Sequence, residues 1–193
     1  MTNGNRRAKA LMAGLALGAL AIAGCTEIED EDGAGDTPVA TESGATLASA
    51  IAGADDLSIV AGVLDDAGLT PVFDGPGSYT ILAPRDSAFG ALEQRADDLS
   101  DEGKRAAMVA ILREHIVPGA LSLEDIGAAI ENSATGEVSM RTVGDGEVTF
   151  TGSGDALQVR GPEGAEALLG TEAITVSNGS AIPIDRVLVS TAQ

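Results

Sequence analysis

The hydrophobic period of the chain changes once, near Asn132, and that change limits the fold more than any single motif does. Before it, apolar residues recur at helical spacing. In DDLSIVAGVLDDAGLTPVF, Leu57, Val60, Ala61 and Leu64 share one face, Asp55 or Asp56 is placed to cap the start, and Gly68 suits a stop before Pro71. The run DGPGSYTILAPRDSAFGAL predicts a turn at Gly75-Pro76-Gly77 and a strand over Tyr79 to Leu82 broken at Pro84. A small helix started by Asp86 then turns Phe89 and Leu92 inward. LSDEGKRAAMVAILREHIVPG predicts a helix opened by Ser100 and carried by Met108, Ile111, Leu112 and His115 until Pro118-Gly119 stops it. SLEDIGAAI predicts another, capped by Ser122. After Asn132, EVSMRTV, EVTFTG and ALQVRG alternate apolar with polar residues around turns such as Gly144-Asp145-Gly146. AITVSNGSAIPIDRVLVS closes the chain with two more runs joined at Asn178-Gly179. Helices grouped early and antiparallel strands grouped late predict one α+β domain of about 150 residues.

A chain of 193 residues holds one such domain and an end segment, with little room for two. Cys25 is the only cysteine, which excludes an intramolecular disulfide and any multi-cysteine zinc site. Its setting suggests another use. Arg6, Arg7 and Lys9 precede an apolar run from Ala10 to Ala23 that is too short to span a bilayer, the layout of a secretory signal over residues 1–24. Its end, Ile22-Ala23-Gly24-Cys25, resembles the bacterial lipobox, in which cleavage between Gly24 and Cys25 leaves a lipidated cysteine as the new N-terminus. A thioether needs the thiol, small neighbours admit the peptidase, and acyl chains such as palmitate anchor at about 0.8 kcal/mol per buried CH2. Thr26 replaces the aspartate that commonly retains lipoproteins at the inner membrane. An outer membrane or cell-surface location is therefore favoured for an exported, lipid-anchored envelope protein.

Residues 25–45 predict an acidic tether, since TEIEDEDGAGDTPVATESG carries seven acids, Gly, Ser and Thr and almost nothing to bury. EIEDEDG lacks the alternating oxygens of an EF-hand loop, so no metal site is assigned. Removing residues 1–24 takes three of the 11 basic residues and none of the 30 acids, leaving a net charge of −22. Such a surface repels nucleic acid and anionic headgroups. Paired acids at Asp55-Asp56, Asp65-Asp66, Asp97-Asp98 and Asp101-Glu102 fall mostly at helix ends, where capping and solvation explain them.

No catalytic constellation emerges: there is no Gly-x-Ser-x-Gly elbow, no P-loop and no His-Glu-x-x-His helix, so neither enzyme activity nor a cofactor is expected. His115 is the sole histidine and could act as a base or ligand, but an imidazole alone on an apolar helix face reads better as a hydrogen-bonded core residue. Asp185 and Arg186, read as neighbours on a strand, would point to opposite faces, one satisfying a turn and the other meeting solvent or a partner. Phe73, Phe89 and Phe150 are assigned to the core, and Asn178-Gly179-Ser180 to a turn.

Three segments carry a family resemblance over residues 46–190. Tyr79-Thr-Ile-Leu-Ala-Pro-Arg-Asp-Ser-Ala-Phe-Gly-Ala-Leu92, His115-Ile-Val-Pro-Gly119, and Ser177-Asn-Gly179 with Ile184-Asp-Arg-Val-Leu188 together resemble the fasciclin domain. The resemblance implies short helices packed on a twisted antiparallel sheet wedge. It also implies a non-catalytic role in adhesion to cells, extracellular matrix, protein or polysaccharide, with self-association open to it. Some fasciclin-like proteins instead carry apolar ligands such as carotenoids, which is the alternative. Aromatic content of 2% and the lack of Trp leave few stacking platforms for either sugars or polyenes. Two positions depart from the family pattern: Glu114 stands where a tyrosine usually precedes the histidine, and Ile182 where many members carry histidine.

Overall fold

The computed structural model describes residues 44–90 and 101–189. The expected signal segment with Gly24, Cys25, the expected tether up to residue 43, Leu92, Ser100 and the Asp97-Asp98 pair lie outside them.

Thr46 opens α1 (Leu47–Ala52) with a capping box to Ser49. α2 (Ser58–Asp66) buries Val60 and Leu64 on its inner face. α2 stops before Gly68, which takes φ +65° as the expected stop, and Pro71 sits in the first turn of α3 (Thr70–Phe73), where its missing N–H leaves no bond unmade. That short turn sets Phe73 edge-on to Tyr79, ring centres 5.3 Å apart.

β1 (Tyr79–Pro84) runs on through Pro84, where a break was expected. It pairs antiparallel with β2 (Ile116–Pro118) on one side and parallel with β8 (Gly179–Ile184) on the other, Pro84 lying opposite Ile184. The segment Asp86–Phe89 is a 3-10 turn rather than an α-helix, and it buries Phe89. α4 (Asp101–Glu114) stops one residue before His115, short of the expected Pro118-Gly119 boundary. Ile116 and Val117 pass into β2 because their branched side chains fill opposite faces of a sheet. α5 (Leu123–Asn132) starts at Ser122 as its sequence predicts, with a capping box to Asp125.

The later strands form two sheets. β3 (Glu137–Arg141), β4 (Glu147–Thr151), β5 (Gln158–Arg160) and β6 (Glu166–Leu168) make an antiparallel meander in sequence order. β7 (Ile174–Val176) and β8 form a hairpin that completes the other sheet, ordered β2-β1-β8-β7. The fold is thus α+β, with one wholly antiparallel sheet and one whose central pair is parallel.

The mixed sheet has core on both faces. Ile81, Ala83, Ile116 and Ala181 meet Leu47, Ile51, Leu57, Val60, Leu64 and Phe89 from the helices. Leu82, Val117, Ile182 and Ile184 face the other way, onto Ile126, Ile130, Val148, Phe150 and Val159. Burial on both faces explains why YTILAP and GSAIPI read as continuous runs rather than alternating ones.

Candidate functional site

The three segments quoted above converge in space: Tyr79–Pro84, Ile116–Pro118 and Gly179–Ile184 are the adjacent strands β1, β2 and β8. His115 sits at the junction of α4 and β2 with 1% of its surface exposed. The N–H of Leu188 donates to Nε2 at 2.8 Å, so that nitrogen carries no proton, and Nδ1–H donates to the carbonyl of Ile111 at 2.8 Å. Burial pulls its pKa down to about 4, and the Ile111 carbonyl opposes that pull only in part. Both ring nitrogens are therefore engaged by main chain, and neither is free to take a substrate proton or a metal.

Neighbouring polar groups of the motifs also bind main chain. Thr80 Oγ1 donates to Gly119 at 2.7 Å and accepts from Leu121 N–H at 2.8 Å, while Ser180 Oγ donates to Leu121 O at 2.6 Å. Together they fix the Pro118-Gly119 turn onto the sheet. Asn178 does more than shape its hairpin. Its Oδ1 accepts from Leu47 N–H at 2.8 Å, and its Nδ2 donates to Phe73 O at 2.7 Å and Gly75 O at 2.9 Å, joining α1, α3 and the β7-β8 turn. Gly179 follows because a Cβ there would collide with the carbonyl of Tyr79.

Neither Asp55 nor Asp56 caps α2. Asp86 does so from the far side of β1, accepting from Ile59 N–H at 2.9 Å and from Ser58 Oγ at 2.5 Å. The Ser58 hydroxyl, aided by the Ile59 and Ser58 N–H groups, holds the Asp86 carboxyl below its usual pKa against the opposing effect of burial. Asp56 instead pairs with Arg85. Asp185 and Arg186 do not lie on a strand, since β8 ends at Ile184. Asp185 Oδ1 accepts from Leu168 N–H at 2.7 Å and its own N–H donates to Leu168 O at 3.3 Å, which ties β6 to the end of β8. Arg186 is exposed and makes no hydrogen bond or ion pair among the described residues.

Residues 55–190 match the Fasciclin domain family. The chain belongs to the fasciclin-domain family. Protein sll1483 of Synechocystis sp. is 28% identical over 138 residues, 71% of this chain and 77% of that protein. A FAS1 domain pair from the insect cell adhesion molecule Fasciclin I superposes with a TM-score of 0.56 at 23% identity, over 69% of this chain and 45% of that one. The chain spans less than half of that two-domain structure, and the likeness carries the fold. Fasciclin domains are commonly adhesion and interaction modules and generally non-catalytic.

This fasciclin domain uses its two departures structurally. Glu114 Oε2 accepts from Thr142 Oγ1 at 2.7 Å, and its carboxylate packs against Gly144 and Gly146, where any Cβ would overlap it. It acts as a clasp on the β3-β4 turn. Ile182 is fully buried between the sheets. The apolar crevice beside His115, lined by Val60, Phe89, Met108 and Ile111, holds about 10 Å3, no more than one water. An open groove of about 430 Å3 lies between α5 and the segments 154–157 and 169–171, over Leu157 and Leu169, with Glu124, Glu131 and Asp155 on its rim.

Proposed function

We propose that this chain is held at the cell envelope by lipid on Cys25, at an outer membrane or cell surface. There its fasciclin domain serves as a non-catalytic adhesion or interaction module for protein, matrix or polysaccharide. The observation that carries the reading is the fasciclin-domain match over residues 55–190, a family of adhesion and interaction modules. The engagement of both His115 nitrogens by main chain supports a contact surface over a catalytic one. The Ile22-Ala23-Gly24-Cys25 segment supports the anchor, and the acidic stretch after it supplies a self-repelling spacer.

Salt tests the interaction. A chain that carries −22 once residues 1–24 are removed repels an acidic partner at low ionic strength, and the Debye length falls from about 30 Å at 0.01 M to about 10 Å at 0.1 M. Attachment of cells bearing the protein to matrix or to each other should strengthen over that range. Attachment that falls steeply with salt would contradict this and identify a cationic partner.

A further inference from the structure

The free edge of the antiparallel sheet carries a pattern that is complementary to itself. β3 is the edge strand of the order β3-β4-β5-β6. Thr142 N–H donates to Gly146 O at 2.9 Å, which sets the phase of the β3-β4 ladder. Val138 and Met140 therefore bond to β4, and Glu137, Ser139 and Arg141 direct their main-chain groups away from it. The edge is closed at both ends: Val143 N–H donates to Ile116 O at 2.8 Å, and Ser133 Oγ donates to Glu137 O at 2.7 Å. Between them, no hydrogen bond among the described residues takes the outward N–H and C=O groups of Ser139 and Arg141.

The side chains along this edge fit one partner in one direction. In an antiparallel pairing centred on Ser139, Glu137 of one copy faces Arg141 of the other and Arg141 faces Glu137. Ser139 faces itself, and Val138 faces Met140 on the opposite side of the sheet. Parallel pairing in register would set Glu137 on Glu137, and an antiparallel slip of two residues in each copy would set one like charge on the other. Glu137, Ser139 and Arg141 are exposed, and Val138 and Met140 are only half-buried against the core, so the pairing covers apolar surface that the single chain leaves open.

We propose that β3 is a docking edge for a second copy of this chain, joining two fasciclin domains about a twofold axis through Ser139 into one continuous eight-stranded antiparallel sheet. The like net charge of the two copies opposes the contact at long range, so the dimer forms more readily as salt rises. It does not rest on the adhesion reading, because it is measured on the purified chain without cells.

The test is position-specific crosslinking of the full chain. In a Cys25→Ser background, Ser139→Cys leaves a single thiol, and the hydrogen-bonded pair on the axis lies about 5.5 Å apart between Cα atoms, within disulfide reach. Mild oxidation should give a disulfide-linked dimer, whereas Ser153→Cys, exposed elsewhere, should not. Adding Glu137→Arg or Arg141→Glu alone should lower the yield about tenfold, and adding both should restore it. All four exposed-site variants should keep the parent circular dichroism spectrum. No dimer through position 139, or a yield indifferent to the charge changes, or a folded double variant that fails to recover, would overturn the proposal.

Discussion

His115 ties two distant stretches of main chain together, Ile111 through Nδ1 and Leu188 through Nε2. Helical spacing from Met108, Ile111 and Leu112 placed it against the core, and the Ile111 carbonyl is within its own turn. Leu188, which supplies the other bond, lies 73 residues away and left no local trace. Glu114 was legible only as a departure; its place beneath Gly144 and Gly146 depends on how a distant hairpin turns back onto α4. The His115 bonds predict a pH dependence with a definite sign. The folded pKa of about 4 lies below the value near 6.5 expected when the chain unfolds, so protons bind the unfolded state more readily. The contribution is complete above pH 6.5 and is lost as pH falls toward 4, by about 3 kcal/mol in all. Thermal melts at pH 7 and pH 4.5 should show the wild type losing more stability than His115→Gln, and parallel curves would contradict the assignment. His115→Ala should lower stability by about 2–4 kcal/mol in denaturant titrations, from two broken bonds and a void.

Among the elements, those whose determinants sit within a few residues were legible. Ser122 and Asp125 cap α5 from three residues apart, and the β7-β8 hairpin follows its Asn-Gly turn. Elements fixed by distant partners were not. Asp86 caps α2 from 27 residues along the chain, while the nearer Asp56 is drawn off to Arg85. The parallel β1-β8 pair joins Tyr79 to Gly179 across the rest of the domain, and no period in either strand specifies a parallel neighbour. β6 is not legible in the sequence, because three residues, Glu-Ala-Leu, are too few to establish alternation. If the remote cap is what starts α2, Asp86→Ala should destabilise the domain by about 1–2 kcal/mol. Asp55→Ala, on an exposed residue without that role, should change stability by less than about 0.5 kcal/mol. Denaturant midpoints of the two variants decide it, and an equal effect would return the cap to the local acids.

For the whole molecule, the proposed envelope role joins a fasciclin domain that presents a surface to a lipid on Cys25 that would hold that surface in place. Charge would make such an anchor necessary for the proposed role. Without residues 1–24 the chain carries −22 and is repelled by anionic headgroups, so neither tether nor domain would stay at a membrane without acyl chains. One chain binds only marginally, and two or more anchor firmly. The most direct measurement is the intact mass of the N-terminal peptide from the membrane-associated protein. The chain should begin at Cys25 and carry diacylglycerol on its sulfur, with the modification and envelope retention both lost in Cys25→Ser. A membrane-associated chain with an unmodified Cys25, or one that begins elsewhere, would contradict it.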